Sequence, residues 1–248
     1  MKIFAGTSLR YVVLFMVSAT LVTLSISGPA GAEDWDLWKK KAIMGFNLTE
    51  GNSDTLNYNL SVIGRKEEEQ QSLVIGIESS YGESDGTMTT DNSEIYGKYQ
   101  RELNEFRYGS LWTSLSTDDA ADTDYRFIIS PAYGHYFIKD DMVQLKVDVG
   151  PSFIKEEVGP VEDTIFSLRA GEQYNRVLSD SAKLWQTAEF LPDFEDGEFL
   201  LNGEVGVEST LTETMNLRVV LKSRFNSLPA RHKKKNDLAL ISSVTYDF

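Results

Sequence analysis

The sequence predicts an all-β protein, a single antiparallel transmembrane β-barrel of about 12 strands. Apolar and polar residues alternate with a period of two from Lys39 to the end of the chain, as in strands whose two faces meet different surroundings. Polar breaks divide the pattern into segments, most of ten to fourteen residues. A tilted strand needs ~9–11 residues to cross a bilayer, so these segments are long enough to span it.

The first 32 residues predict a cleaved export signal. Lys2 and Arg10 provide a positive start, residues 11–26 are mostly apolar, and Ala30-Gly31-Ala32 forms a small-x-small cleavage site. The apolar stretch is shorter than the ~20 residues of a helical anchor, which favours cleavage. The mature chain is then residues 33–248, one barrel domain.

Composition excludes several other classes of protein. The formal net charge of −14 argues against nucleic acid as a partner. The absence of cysteine excludes disulfides and a lipoprotein anchor. No stretch after the signal approaches 18 consecutive apolar residues, which excludes a helical membrane protein.

The strands follow one another with the same alternation. It is clearest in the runs 42–49, 56–63, 73–78, 143–150, 217–225 and 238–248. Eleven polar breaks separate the runs: Glu50–Asp54, Glu67–Gln70, Glu83–Asp91, Glu102–Glu105, Asp119–Asp124, Lys139–Asp141, Glu157–Asp163, Ser179–Ser181, Pro192–Asp196, Leu211–Thr214 and Ser227–Lys235. Every second break is short and most of the others are longer, as expected of periplasmic turns and outer loops.

The polar face of the strands is expected to line a wet lumen, because it carries charged side chains. The predicted lumen residues are Lys98, Lys146, Asp148, Arg169, Asn202, Glu204, Glu208, Arg218, Lys222 and Arg224. Aromatic residues near the periplasmic strand ends predict an interfacial girdle. They are Trp35, Trp38, Phe106, Tyr108, Phe137, Tyr174, Trp185, Tyr246 and Phe248.

The turn between the predicted strands Glu198–Thr210 and Asn216–Asn226 predicts which of their residues lie opposite each other. If residue pairs whose numbers sum to 426 lie opposite each other, Glu208 faces Arg218, Glu204 faces Lys222 and Asn202 faces Arg224. A slip of one residue would send charges to the lipid at ~2–4 kcal/mol for each Arg or Lys near the midplane. The sequence therefore predicts a ladder of alternating charge along the lumen.

Two loops carry concentrated charge. Four aspartates between Asp118 and Asp124 lack the spacing of a calcium loop, so a solvated acidic loop is favoured over a cation site. The basic run Arg231, His232, Lys233, Lys234 and Lys235 could meet lipopolysaccharide phosphates, although ion pairing with the acidic loops is the favoured interpretation.

No catalytic constellation or cofactor site is predicted. The two histidines, His135 and His232, have no nucleophile at the two-residue spacing that a barrel phospholipase would need. The sequence therefore predicts a protein that is not an enzyme, without metal or cofactor.

The segment Leu48-Thr49-Glu50-Gly51-Asn52-Ser53-Asp54-Thr55 resembles the start of a YdiY-like family of outer-membrane proteins (domain of unknown function 481), some described as salt-induced. Gly150-Pro151, Leu228-Pro229 and Lys235-Asn236-Asp237 resemble its later landmarks. The end, Tyr246 and Phe248, is similar to the signal that outer-membrane proteins present to the barrel-assembly machinery. The resemblance covers the mature chain and implies a barrel with no catalytic residues.

Together these features predict a protein of the Gram-negative bacterial outer membrane, in contact with its lipid and lipopolysaccharide. The favoured function is a narrow pore for, or a binder of, small polar solutes, with a stress-related role. The alternative is a structural envelope protein or lipopolysaccharide-anchoring scaffold without conductance. The sequence does not indicate an oligomeric state.

Overall fold

A computed structural model describes residues 37–49, 55–193, 197–229 and 232–248. The predicted signal peptide, residues 1–32, lies outside them, as do most of the first loop motif and Arg231. The strands are β1 (Trp38–Thr49), β2 (Thr55–Glu68), β3 (Gln71–Ser84), β4 (Thr87–Asn104), β5 (Arg107–Asp118), β6 (Thr123–Lys139), β7 (Val143–Val158), β8 (Val161–Ser179), β9 (Ala182–Pro192), β10 (Phe199–Thr210), β11 (Met215–Asn226) and β12 (Asn236–Asp247). A 3₁₀ helix (Asp119–Ala121) joins β5 to β6.

The twelve strands form one closed antiparallel barrel, as predicted. Each strand pairs with its neighbours in sequence, and β12 closes the barrel against β1 through pairs such as Ala42 with Tyr246. We call the end that carries the β11–β12 loop the outer end and the end that carries Phe248 the inner end. Among the described residues, no helix is long and apolar enough to cross a membrane.

Alternation in the sequence becomes alternation between the two faces of the barrel wall. In β1, Met44 and Phe46 are 64% and 66% exposed on the exterior, whereas Ile43 and Gly45 are buried. Large apolar side chains remain exposed on the exterior of nearly every strand. Such a continuous apolar surface would be an aggregation hazard in water, but it matches the hydrocarbon of a bilayer.

The apolar exterior gives way to charge near the outer end. Phe153 and Phe166 pack edge to face with ring centroids 5.2 Å apart on neighbouring strands. Further out, Glu162 accepts hydrogen bonds from Lys155 at 2.8 Å and Tyr125 at 3.0 Å. The hydrogen bond from Lys155 is the main reason that the pKa of the Glu162 carboxyl lies below its usual value. The strands thus continue into water beyond the apolar belt.

Two of the predicted outer loops are wrong in length. The breaks Glu83–Asp91 and Glu157–Asp163 reduce to the two-residue turns Asp85-Gly86 and Gly159-Pro160, and the remaining polar residues extend the strands. Strands β4 and β8 reach 18 and 19 residues as a result. Asp85, Gly86 and Gly159 have positive φ, which a tight hairpin turn requires. The polar residues at these positions do indicate contact with water. The backbone hydrogen bonds between the strands nevertheless continue through them.

Candidate functional site

The interior of the barrel is polar along most of its length. The buried polar and charged side chains are Ser61, Gln100, Ser114, Thr123, Ser130, Asp148, Ser152, Ser167, Arg169, Glu208, Asn216, Ser243 and Thr245. A small apolar cluster formed by Ile128, Ile154 and Leu191 lies among them. Because buried polar groups need partners, this interior depends on hydrogen bonds and ion pairs more than on apolar packing.

The register of β10 and β11 is the predicted one. Glu208 lies opposite Arg218, Glu204 opposite Lys222 and Asn202 opposite Arg224. The predicted one-to-one charge ladder is nevertheless only partly correct. Glu204 contacts Lys222 at 3.5 Å but approaches the diagonal Arg218 more closely, at 3.1 Å.

Glu208 does not pair with Arg218, the residue opposite it on β11. Instead its carboxylate accepts hydrogen bonds from Lys183, which lies opposite it on β9, and from Lys41 on β1, both at 2.8 Å. Long cationic side chains from other strands can reach across a narrow lumen, so facing positions alone do not decide the partner. Arg218 in turn lies over the ring of Trp185, with Cζ 4.4 Å from the ring centroid.

Two ion pairs join walls of the barrel that are not adjacent. Lys222 on β11 donates to Glu78 on β3 at 3.0 Å, and these strands are separated by β12, β1 and β2. Arg224 on β11 approaches Asp118 on β5 at 3.6 Å, and β5 lies on the opposite side of the barrel. The side chains therefore bridge the lumen itself.

A second network surrounds Asp148 on β7. Its carboxylate accepts from Arg169 at 2.6 Å and from the Tyr108 hydroxyl at 3.2 Å, and Lys98 lies 3.8 Å away. Arg169 also pairs with Glu189, whose carboxylate accepts from Asn202 at 3.1 Å. The predicted lumen residues Asp148, Arg169 and Asn202 are thus joined through Glu189, which sequence analysis missed.

The predicted lumen residue Lys146 has a different environment. Its Nζ donates to Gln100 Oε1 at 2.8 Å and lies 5.3 Å and 5.5 Å from the ring centroids of Tyr108 and Tyr136. In the described part of the chain it forms no ion pair with a carboxylate.

The assignment of two aromatic residues to the girdle is wrong, because their side chains point into the barrel. Tyr108 is fully buried and lies opposite Gly134, and Trp185 donates from Nε1 to Glu204 at 2.7 Å and lies opposite Gly206. A Cβ at either glycine would lie 2.1 Å from the ring. Each ring fills the space that its glycine leaves. An aromatic residue cross-strand from glycine was the signal that could have identified them.

The other girdle residues in the described chain differ in exposure. Phe106, Phe137, Tyr246 and Phe248 are 45–63% exposed. Trp38 and Tyr174 are partly exposed, and Trp35 lies outside the described residues. His135 sits between the rings of Phe106 and Phe137, with centroids 6.4 Å and 5.0 Å away.

Two cavities occupy the ends of the interior. The outer cavity, of 450 Å³, is lined by residues such as Glu94, Trp112, Arg224 and Lys235. The inner cavity, of 730 Å³, is lined by residues such as Arg65, Gln100, Lys146 and Glu208. Between them lies what we call the central layer, made of Glu78, Lys98, Asp148, Arg169, Glu204 and Lys222, none of which lines either cavity.

The charged outer loops meet over the mouth of the outer cavity. Lys233 donates to the carbonyl oxygen of Ala120 at 2.7 Å, while Lys234 and Lys235 are exposed. Asp118 caps the 3₁₀ helix by accepting from the Ala121 N–H at 2.9 Å. Among the described residues, no three His, Asp or Glu side chains are grouped so that they could hold a metal ion.

The C-terminal residues take part in barrel closure. The Phe248 N–H donates to the Lys40 carbonyl at 3.0 Å, and the rings of Tyr246 and Phe248 stack with centroids 5.9 Å apart. Both side chains remain on the exterior, half exposed.

Comparison with known proteins gives a family and a fold. A family model described as "Protein of unknown function, DUF481" matches residues 42–248. No curated protein matches the sequence.

Solved structures of similar shape are outer-membrane barrels. The NanC porin is 4% identical, with a TM-score of 0.55 over 85% of this chain and 100% of that chain. An outer-membrane channel from Pseudomonas putida F1 is 9% identical, with a TM-score of 0.52 over 85% of this chain and 94% of that one. At such identities the likeness shows the fold alone.

Proposed function

We propose that this chain, which belongs to the DUF481 family, forms a narrow pore for small polar solutes in the outer membrane of a Gram-negative bacterium. The stress-related, salt-induced expression implied by the YdiY-like resemblance is part of the same proposal. Expression induced by salt would suit a pore that passes small ions.

One observation carries the proposal: a polar cavity lies at each end of the interior, and the charged central layer lies between the two. A barrel that served only as a scaffold could fill its interior with tightly packed residues, as eight-stranded barrels do. Here the central layer consists of six charged side chains, of which four are the long and flexible Lys or Glu residues of β3, β4, β10 and β11. Such side chains can change rotamer without any movement of the backbone.

One ion pair of the central layer, between Lys222 and Glu78, is exposed enough to open. The side chains of Lys222 and Glu78 retain 26% and 23% of their exposure, so water partly screens their attraction. A fully exposed pair contributes only ~0–1 kcal/mol, and this pair is far more exposed than Asp148 with Arg169, whose side chains retain 5% and 8% of their exposure. We expect brief openings of small conductance instead of a permanently open channel.

Conductance in planar bilayers tests the pore. We expect the wild-type barrel to give small, flickering steps, and Glu78→Ser combined with Lys222→Ser to give larger and steadier steps, because both halves of the bridge are removed together. Lys155→Ser, on the charged exterior, is the matched control and should conduct like the wild type.

Silence of both the wild type and the double variant, with folding verified, would contradict the pore and favour the alternative, a scaffold without conductance. Folding can be checked because closed barrels migrate differently on detergent gels before and after boiling.

Localisation is a separate prediction. The apolar exterior should drive the mature protein into outer-membrane fractions, where its partners would be membrane lipid, lipopolysaccharide and, through Tyr246 and Phe248, the barrel-assembly machinery. Lys233, Lys234 and Lys235, with Arg231, would face lipopolysaccharide phosphates at the outer end. Recovery as a soluble periplasmic monomer after cell fractionation would contradict this localisation.

A further inference from the structure

We infer that the inner cavity holds a binding site for a small oxyanion, a phosphate or carboxylate group, formed by Lys146, Tyr136 and Arg65. The site deepens the proposed function and rests on it for its biological role, because it would make the pore prefer anionic solutes. The binding itself can be measured whether or not the barrel conducts.

Lys146 provides a cation whose hydrogen-bond donors are not all used. An ammonium group donates three hydrogen bonds, and Lys146 uses one, to Gln100 Oε1. The faces of Tyr108 and Tyr136 stabilise its charge without neutralising it.

Tyr136 provides a neutral donor beside the ammonium. Since Lys146 can only donate, the Gln100 amide must present its oxygen to Lys146, and its nitrogen then donates to the Tyr136 hydroxyl at 2.8 Å. The phenolic hydrogen of Tyr136 is left to donate to a further acceptor. Tyr136 lines the inner cavity, where a bound anion would supply that acceptor.

Arg65 completes the donor set from β2. Its Nε pairs with Glu67 at 2.8 Å, and its guanidinium is half exposed in the wall of the same cavity. A guanidinium has five N–H donors, so one ion pair leaves several for a ligand. Arginine and lysine together with a hydroxyl are the donors that bind oxyanions by charge-assisted hydrogen bonds.

Three acidic residues of the same cavity are already paired with other cations. Glu208 is shared between Lys41 and Lys183, and Glu102 is held by Lys139 at 2.9 Å. Glu67 accepts from Lys39 as well as from Arg65. In the described chain, the ammonium of Lys146 has no carboxylate within ion-pair distance.

Phosphate titration of the refolded, full-length mature barrel in detergent tests the site. We expect inorganic phosphate to bind the wild type, and Lys146→Gln to weaken that binding about tenfold or more, as loss of a charged hydrogen bond does. Tyr136→Phe should weaken it by a smaller factor without altering charge. Lys183→Gln, which removes a lysine of the same cavity while Lys41 still holds Glu208, should leave it nearly unchanged.

Absence of phosphate binding by the folded wild type, or equal weakening by Lys183→Gln, would overturn the site. If Lys146→Gln does not fold, Tyr136→Phe is compared with Lys183→Gln, and equal binding by these two variants would overturn the site. A barrel that conducts without binding phosphate would overturn the site and leave the pore, whereas a barrel that binds phosphate without conducting would support the site and remove the pore.

Discussion

Gly134→Ala is expected to reduce the yield of folded barrel strongly. The new Cβ would lie 2.1 Å from Cζ of Tyr108, well inside the sum of van der Waals radii. The ring cannot move away easily, because Tyr108 is fully buried and its hydroxyl donates to Asp148 at 3.2 Å. Overpacking of this kind costs ~1–3 kcal/mol, a factor of about ten in the folding equilibrium for each 1.4 kcal/mol.

The matched control is Gly109→Ala on the neighbouring strand, where an added Cβ would meet nothing within 4 Å. The two variants differ in the space available and not in the type of substitution. Combining Gly134→Ala with Tyr108→Ser should restore much of the yield by freeing that space. Equal folded fractions for Gly134→Ala and Gly109→Ala on unboiled detergent gels would show that the ring and glycine do not constrain the barrel.

Deletion of Phe248 is expected to abolish most assembly in cells while changing the stability of refolded barrel very little. The side chain is 58% exposed, so it adds little packing, and deletion removes one backbone hydrogen bond, to Lys40. Such a bond contributes ~0.5–1.5 kcal/mol. The larger effect would come from loss of the terminal aromatic residue that the assembly machinery recognises.

Two measurements separate these effects: the amount of heat-modifiable protein in outer membranes, and the denaturant midpoint after refolding in detergent. Phe248→Ala keeps the backbone bond and should reproduce the assembly defect. If the truncated protein reached wild-type levels in membranes, the Tyr246-x-Phe248 end would not be an assembly signal.

The strand pairing could be predicted from sequence, whereas the ion pairs could not. Charged and apolar residues alternate so strictly in β10 and β11 that a slip of one residue would send charges to the lipid, and a slip of two would separate Glu204 from Lys222. The partner of Lys222 at 3.0 Å is Glu78, 144 positions away in the chain. Nothing in a local pattern shows which distant strands face each other across a closed barrel.

The ends of β3, β4, β7 and β8 at the outer end lie further out than the sequence predicted, and the reason is physical. Polar composition reports where the chain meets water, but a hairpin continues into water as long as its backbone ladder is intact. The more specific signal was the Asp85-Gly86 pair, which favours a two-residue turn. Tyr108 and Trp185 were wrongly assigned to the girdle for a similar reason, because a position near a strand end is typical of the membrane interface. The glycines opposite them on the interior face leave room for their rings inside the barrel.

The long outer hairpins have a consequence for how the protein exchanges hydrogen with water. At ~3.3 Å per residue, the 18 residues of β4 extend about 59 Å, and with the usual tilt of ~35–45° this exceeds the ~25 Å apolar band. Amides of the projecting part are in water yet remain paired across strands, so they should exchange more slowly than amides of an unpaired loop of the same length. The turns Asp85-Gly86 and Gly159-Pro160 also give proteases little chain to cleave. A molecule that approaches from outside would therefore meet a rim of paired strands that is already formed before the molecule binds.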